Sequence, residues 1–450
     1  MANGFNHKIL VEFSTIFDED PKDLKAYLTG INRSVLLNIV SFFLGFKNRG
    51  SKYDDYREFL KMFFCAENSD FANEVYDKLN ERKGEKLLII EVYPILQLFE
   101  FCFDHLKDLN TQSKAETERN IFKAILFQNE TNTSLQNLAY ESTKSVNSEI
   151  KLAALCLTQS FAYSELINYD KIEVLACQII KSVYLFEFLE SNSNTNILLT
   201  KFLKHFNCTN WQEYIKSFFP LAFSVLQAEG ETYTDILVKQ DDDFEKNCEF
   251  IEKLIVVDTE VAEDYDFVKM RSCPFYKVQD GVFRVIFGLF VIELIHKGLF
   301  FKLSEINNTL DKHEKASKEF RGFYCDEFSE KYLLYKILNS IYQNKYIEFS
   351  GSEIKEHKIV AEPDYYIRNG NSVFLFESKD ILINKKIKPT YDYAQYETEF
   401  KKKLYFEDNN GKIEKKAVLQ LVNNIERLLQ KQLSIDIRYN PNLIFIYPII

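Results

Sequence analysis

Between Glu362 and Lys379 the chain reads Glu-Pro-Asp-Tyr-Tyr-Ile-Arg-Asn-Gly-Asn-Ser-Val-Phe-Leu-Phe-Glu-Ser-Lys, and three of these residues, Asp364, Glu377 and Lys379, have the types and spacing to do chemistry together. Two apolar runs flank Asn369-Gly370, a dipeptide favoured in two-residue type I′ hairpin turns. With Arg368 opposite Asn371, Tyr366 falls opposite Val373 and Asp364 opposite Leu375. Side chains alternate along a strand, so Glu377 and Lys379 share the face of Asp364, while Phe374 and Phe376 point the other way, into a core. Buried charge without a partner costs roughly several kcal/mol, and a hard divalent cation removes that cost. Mg²⁺ takes oxygen ligands, is held by one or two carboxylates plus waters, and leaves positions for a phosphate. A lysine beside such a site holds a water or a developing oxyanion without ligating the metal.

Pro363-Asp364 followed by Glu377-Ser378-Lys379 resembles the signature of the PD-(D/E)xK nuclease superfamily, which has the restriction-endonuclease-like fold. The acid-x-Lys triplet alone carries nothing, since Glu81-Arg82-Lys83, Glu149-Ile150-Lys151 and Glu353-Ile354-Lys355 also have it. The Pro-Asp pair occurs once, upstream of an apolar strand that ends in the triplet. The resemblance, which covers about Asp326 to Ile450, implies a hydrolase that cleaves DNA phosphodiesters with Mg²⁺ or Mn²⁺. Asp364 and Glu377 would bind metal, the Ser378 carbonyl would complete the set, and Lys379 would act on water or on the transition-state oxygens. It also implies a helix-borne glutamate, matched by Glu330 with Glu327 as its rival, and a glutamine toward the scissile phosphate, matched by Gln420.

Several elements must position these groups. The stripe Leu334, Ile337, Leu338, Ile341 predicts a helix over Asp326 to Tyr342, and extending it back by one turn reaches Glu330. Strands are expected at Tyr346–Phe349, Lys358–Ile367, Val373–Lys379 and Asn442–Ile449. A helix is expected at Ala417–Leu429, with Val418, Leu421, Val422, Ile425 and Leu428 inward. From Asp380 to Lys416 lies a charged insertion whose lysines, Lys385, Lys386, Lys388, Lys401, Lys402 and Lys403, interleave with tyrosines; lysines neutralise phosphates and tyrosines stack on bases. A solvated charged flap is the plainer reading, because Glu397, Glu399, Glu407 and Asp408 sit among them.

The 450 residues are 46% hydrophobic, enough for two or three domains with their own cores. The net charge of −11 is uneven: the part from Gly351 onward carries about +2 and the part before it −13, so contact with nucleic acid belongs to the C-terminal part. Residues 1–268 read as a largely helical domain, 269–320 as a connecting hairpin around Asp280-Gly281 with an apolar run, and 321–450 as the nuclease-like domain. The fold class is therefore α+β/α/β, with a small mixed sheet between helices at the C-terminus.

Helices are expected at Tyr53–Phe64, Phe71–Leu79, Ala115–Phe127, Glu149–Phe161, Ile172–Leu189 and Asn196–Phe206, with Asn129–Thr133 and Ser191–Thr195 as polar separators. Ile9–Phe17 suits either a strand or a helix. Eight cysteines without a C-x-x-C pair read as buried free thiols of a reducing cytosol, and Asp241-Asp242-Asp243 as a solvated helix start. Leu87–Leu106 and Val282–Phe301 approach membrane length but carry charges and a proline, so buried soluble elements and a cytoplasmic protein with no membrane partner are expected.

The apolar ending Ile446-Tyr447-Pro448-Ile449-Ile450 implies either a strand buried at the sheet or a domain truncated there. A nuclease joined to a large helical domain resembles bacterial defence or restriction machinery, with the helical domain sensing or gating through a protein partner or trigger, and a homodimer is compatible with it. Two other readings stay open: a catalytically silent nuclease fold that binds nucleic acid, and a helical protein-interaction scaffold.

Overall fold

Aromatic and aliphatic residues at helical spacing dominate the first half of the chain, and in the computed structural model they form helices. The structure describes residues 8–46, 50–82, 84–105, 110–228, 232–257, 266–342, 345–357, 359, 362–384, 386–409 and 412–450. The chain divides into two units, one of 1–179 and 203–301, the other of 180–202 and 302–450.

In the first unit, β1 (Lys8–Leu10) pairs in parallel with β2 (Lys86–Leu88), and a helix follows at Phe13–Ile16, so Ile9–Phe17 holds both elements. The expected helices form with shifted ends, including Tyr56–Phe63, Ser69–Glu81 and Lys151–Gln159. The polar run Asn129–Thr133 is not a separator but lies inside one 29-residue helix, Lys114–Ser142. Asn129 is buried there, and its Nδ2 donates to the carbonyls of Val11 and Ile89, both at 2.9 Å, where the two strands end. A buried amide that collects strand carbonyls looks, in sequence, like a loop residue.

Further along, β3 (Asp235–Leu237), β4 (Phe275–Gln279) and β5 (Val282–Val285) form an antiparallel sheet in the order β3-β5-β4. The hairpin at Asp280-Gly281 is thus present, but it is the centre of a sheet in the first unit rather than a connector. All eight cysteines are free, yet only Cys102 and Cys248 are buried, and Cys156 and Cys177 are exposed. Asp241–Asp243 precede a helix at Phe244–Glu252. No helix among the described residues is long and apolar enough to cross a membrane.

The second unit holds a mixed sheet in the order β11-β8-β7-β6, where β6 is Ile347–Ser350, β7 Tyr365–Asn369, β8 Ser372–Phe376 and β11 Phe445–Ile449. Only the β8–β11 pair is parallel. Period-two alternation supplies two cores. On one face Tyr366, Val373 and Leu375 pack with Leu421 and Leu428 of the helix Ala417–Leu429, whose bounds match expectation. On the other face Tyr365, Ile367, Phe374 and Phe376 pack with Leu338 of the helix Tyr335–Tyr342. The molecule is α+β, its second unit a small mixed sheet between helices.

Three expectations are corrected here. Ile341 and Val422, assigned to core stripes, are exposed. The strand expected over Lys358–Ile367 starts at Tyr365, and Lys358, Val360 and Ala361 lie outside the described residues. In β11, Ile446 packs against the core, whereas Phe445, Tyr447 and Ile449 are exposed, with Tyr447 stacked on Phe374 at 4.9 Å. Immediately after β6, a short helix (Gly351–Glu356) is opened by a reciprocal cap between Ser350 and Glu353. Gly351 fits closely there, because a Cβ would lie 3.0 Å from the Tyr335 hydroxyl and 3.2 Å from the carbonyls of Pro363 and Asp364, tight enough that these neighbours would have to shift.

Candidate active site

The β7–β8 hairpin closes one step later than the Asn-Gly rule suggests. Asn369 pairs with Ser372 and Arg368 with Val373, so the turn residues are Gly370 and Asn371. Gly370 has φ +57° and Asn371 is not in the left-handed region, the pattern of a II′ turn with glycine first rather than a I′ turn. The register moves by two residues, which preserves faces, whereas a slip of one would have reversed them. Asp364 therefore comes beside Glu377 rather than Leu375, its N–H donating to Phe376 O at 3.0 Å.

Glu377 sits just past the end of β8, its N–H held by Ile449 O of β11 at 2.9 Å. The Ser378 N–H turns back and donates to Asp364 Oδ2 at 2.7 Å, fixing that carboxylate. Lys379 Nζ lies 2.6 Å from Glu377 Oε1 and 3.9 Å from Asp364 Oδ2. The three motif residues converge, and Glu377 is only 2% exposed. Its second oxygen, Oε2, is buried and has no hydrogen-bond partner among the described residues.

Glu330 comes from an eleven-residue π-helical stretch, Tyr324–Leu334, inside a continuous helical run from Phe320 to Tyr342. Such stretches recur at functional sites because they re-aim side chains. The Tyr335 hydroxyl is 3.5 Å from Glu330 Oε1. Glu327, the rival position, is instead engaged by Lys331 at 2.6 Å on its own helix.

Electrostatically the cluster is too negative for its burial. Burial first, and Asp364 second, push the Glu377 carboxyl up to about 7 against the opposing pull of Lys379. Burial also raises Asp364, opposed by Lys379 and the Ser378 N–H, and burial together with Asp364 raises Glu330. Burial disfavours the charge on Lys379, but Glu377, Asp364 and Glu330 outweigh it and keep the ammonium protonated well into the basic range. Lys355, whose charge also reaches Asp364 and Glu330, is bonded to Glu362 at 2.8 Å. Four acids thus gather on two lysines.

Asp364 and Glu377 can hold a hard cation between them, and the unpartnered Glu377 Oε2 is a donor that such an ion would satisfy. Among the described residues no three His, Cys, Asp or Glu side chains converge closely enough to hold an ion alone. Two carboxylates, with a carbonyl and waters completing the shell, match the way Mg²⁺ is bound.

Lys379 also lines an open cavity of about 660 Å³ together with Lys403, Glu414, Lys415, Lys416, Gln420 and Asn423. Gln420 is among the lining residues, and its buried Oε1 has no hydrogen-bond partner among the described residues. Of the insertion lysines, Lys403 reaches this cavity while pairing with Glu399 at 3.2 Å; Lys401 and Lys402 pair with Glu397 and Glu407, and Lys386 and Lys388 do not line it. Lys385 lies outside the described residues. Lys415 and Lys416 were not singled out from sequence. They are brought in by a second hairpin, β9 (Phe406–Asn409) and β10 (Lys412–Lys415), whose signal is the alternation Lys-Ile-Glu-Lys within the charged insertion.

Comparison of the chain with protein-family models, with curated proteins and with solved structures found no match.

Proposed function

We propose that the second unit is a metal-dependent nuclease of the PD-(D/E)xK type that hydrolyses phosphodiester bonds in DNA. The observation that carries the reading is the buried Glu377 carboxyl, with one oxygen on Lys379 and the other without a partner among the described residues, beside a second, half-buried acid, Asp364. A mixed four-stranded sheet between helices, with a helix-borne Glu330 close enough to feel the charge of Asp364, supports the restriction-endonuclease-like fold.

In this reading Asp364 and Glu377 hold Mg²⁺ or Mn²⁺, with the Ser378 carbonyl completing the protein ligands and Glu330 shaping the site or holding a second ion. The bound ion supplies Lewis-acid polarisation of the phosphate and a more acidic water. Lys379 orients the attacking water or steadies the oxygens on which charge develops, and its protonation is secured by the acids around it. Gln420, Lys403, Lys415 and Lys416 receive the flanking phosphates. The helical first unit would sense or gate, in a cytoplasmic defence or restriction setting, through a partner or trigger.

The test is cleavage of linear, circular and single-stranded DNA, with RNA in parallel, by the full chain in Mg²⁺, Mn²⁺ or EDTA. The reading expects products with either metal and none in EDTA or from Glu377→Gln. DNA bound but left intact under every condition would replace the nuclease by a silent nucleic-acid-binding fold, and no binding at all would favour a scaffold.

A further inference from the structure

The β9–β10 hairpin has two unlike faces. Phe406 pairs with Lys415 and Asp408 with Ile413, so these four share one side, while the facing pair Glu407 and Glu414 shares the other. The glutamate side is engaged: Glu407 meets Lys402 at 3.3 Å and Lys416 at 3.2 Å, and Glu414 meets Lys416 at 3.3 Å. The opposite side is open, with Phe406 44% and Ile413 66% exposed, and the adjoining Tyr405 45% exposed. Lys415 makes no ion pair among the described residues and is both a wall of the cavity shared with Lys379 and the cross-strand neighbour of Phe406.

A cavity lined by four lysines and one glutamate, one wall residue of which, Lys415, stands across the strands from an exposed ring, is a combination that suits an unpaired strand, because lysines track the backbone while rings stack on bases of any sequence. A closed duplex keeps its bases stacked on each other and has no use for such rings. We propose that the site selects unpaired nucleic acid, a single strand or a frayed end, with Phe406, assisted by Tyr405, stacking on bases and Lys415 on the phosphate beside them. This rests on the reading of the adjoining acids as a phosphodiester site. Four lysines against one glutamate on the cavity wall, with Lys415 in no ion pair among the described residues, favour a polyanion over an apolar protein partner on this face.

Fluorescence anisotropy with the full chain in EDTA, on a labelled 20-nucleotide oligothymidine and on a blunt 20-base-pair duplex, tests it. The single strand should bind about tenfold more tightly than the duplex. Phe406→Ala should remove about tenfold of the strand affinity, leave duplex affinity within about twofold, and be rescued by Phe406→Trp, at an unchanged thermal midpoint. Equal affinity for strand and duplex, or a strand affinity indifferent to Phe406→Ala, overturns this inference and leaves the nuclease reading standing. Binding of neither probe overturns both. A dimeric chain that becomes monomeric on Phe406→Ala with strand affinity unchanged assigns the face to a second copy instead.

Discussion

The two ends of the β7–β8 hairpin bury charge in opposite ways. At the turn end, Arg368 and Asp436 form a buried pair in which the Asp436 oxygens also accept from the Tyr366 hydroxyl at 2.8 Å and the Arg438 N–H at 3.2 Å. Burial pushes Asp436 up, but the hydrogen bonds from Arg368 and Tyr366 outweigh it and hold the carboxyl below its ordinary range. At the open end the acids outnumber the lysines, Glu377 is raised to about 7, and one of its oxygens has no partner among the described residues. The first unit repeats the balanced case: Arg271 and Lys297 each bond both Glu165 and Glu293. In both of these groups the charge is neutralised within the chain. The hairpin's open end is not, and the missing positive charge is what a metal ion would bring.

The comparison can be broken most forcefully at its balanced end. Arg368→Met leaves Asp436 buried without its cation and should cost about 3–5 kcal/mol in urea unfolding at pH 7. A loss under about 1 kcal/mol would mean that the pair is solvated and that the contrast drawn above is false.

At the unbalanced end, Lys379→Met removes the cation that meets both acids and leaves the acids in place. Cleavage should fall by about 10² to 10³ fold, the scale of losing one electrostatic stabiliser, while Mn²⁺ affinity is kept or tightened. Cleavage within about threefold of the parent would take Lys379 out of the chemistry.

Glu377→Gln should stabilise the metal-free protein. An acid whose folded pKa lies above its unfolded value binds more protons folded than unfolded between the two, so stability falls as pH rises from about 4.5 to about 7 and stays lost above that. The full difference is at most about 3 kcal/mol. The variant should therefore exceed the parent at pH 8 in EDTA by up to that amount, and the gain should vanish near pH 4. A gain independent of pH would assign it to packing instead.

The smallest effect belongs to a hydrogen bond without burial of excess charge. Ser350→Ala removes one half of the cap that opens the helix Gly351–Glu356 and should cost about 1 kcal/mol of stability with metal binding unchanged. Loss of metal binding would show that this helix, through Gly351 and the Asp364 carbonyl, sets the position of the acids.

What could be read from the sequence follows from the range of each signal. The helix Ala417–Leu429 and the strands around the motif are set by local periodicity, and their faces survived an error of two residues in register because the pleat repeats every two. Lys379 was separable from other triplet lysines only by its Pro-Asp partner; the competing Glu353-Ile354-Lys355 serves a helix cap and an ion pair with Glu362. Asn129 was misread because its partners, Val11 and Ile89, are remote in sequence. Lys415 and Lys416 were missed for a similar reason: a short hairpin among charged residues looks like a flap until its pairing brings it to Lys379.

The central claim is that the open end of the hairpin is a cation site, and calorimetric titration of Mn²⁺ into the full chain at pH 7.5 tests it most directly. The account predicts saturable binding to the parent at Asp364 and Glu377, displaced by excess Mg²⁺, accompanied by proton release as Glu377 ionises, and abolished in Glu377→Gln. Binding that survives Glu377→Gln undiminished, or a parent that binds no Mn²⁺, would contradict it.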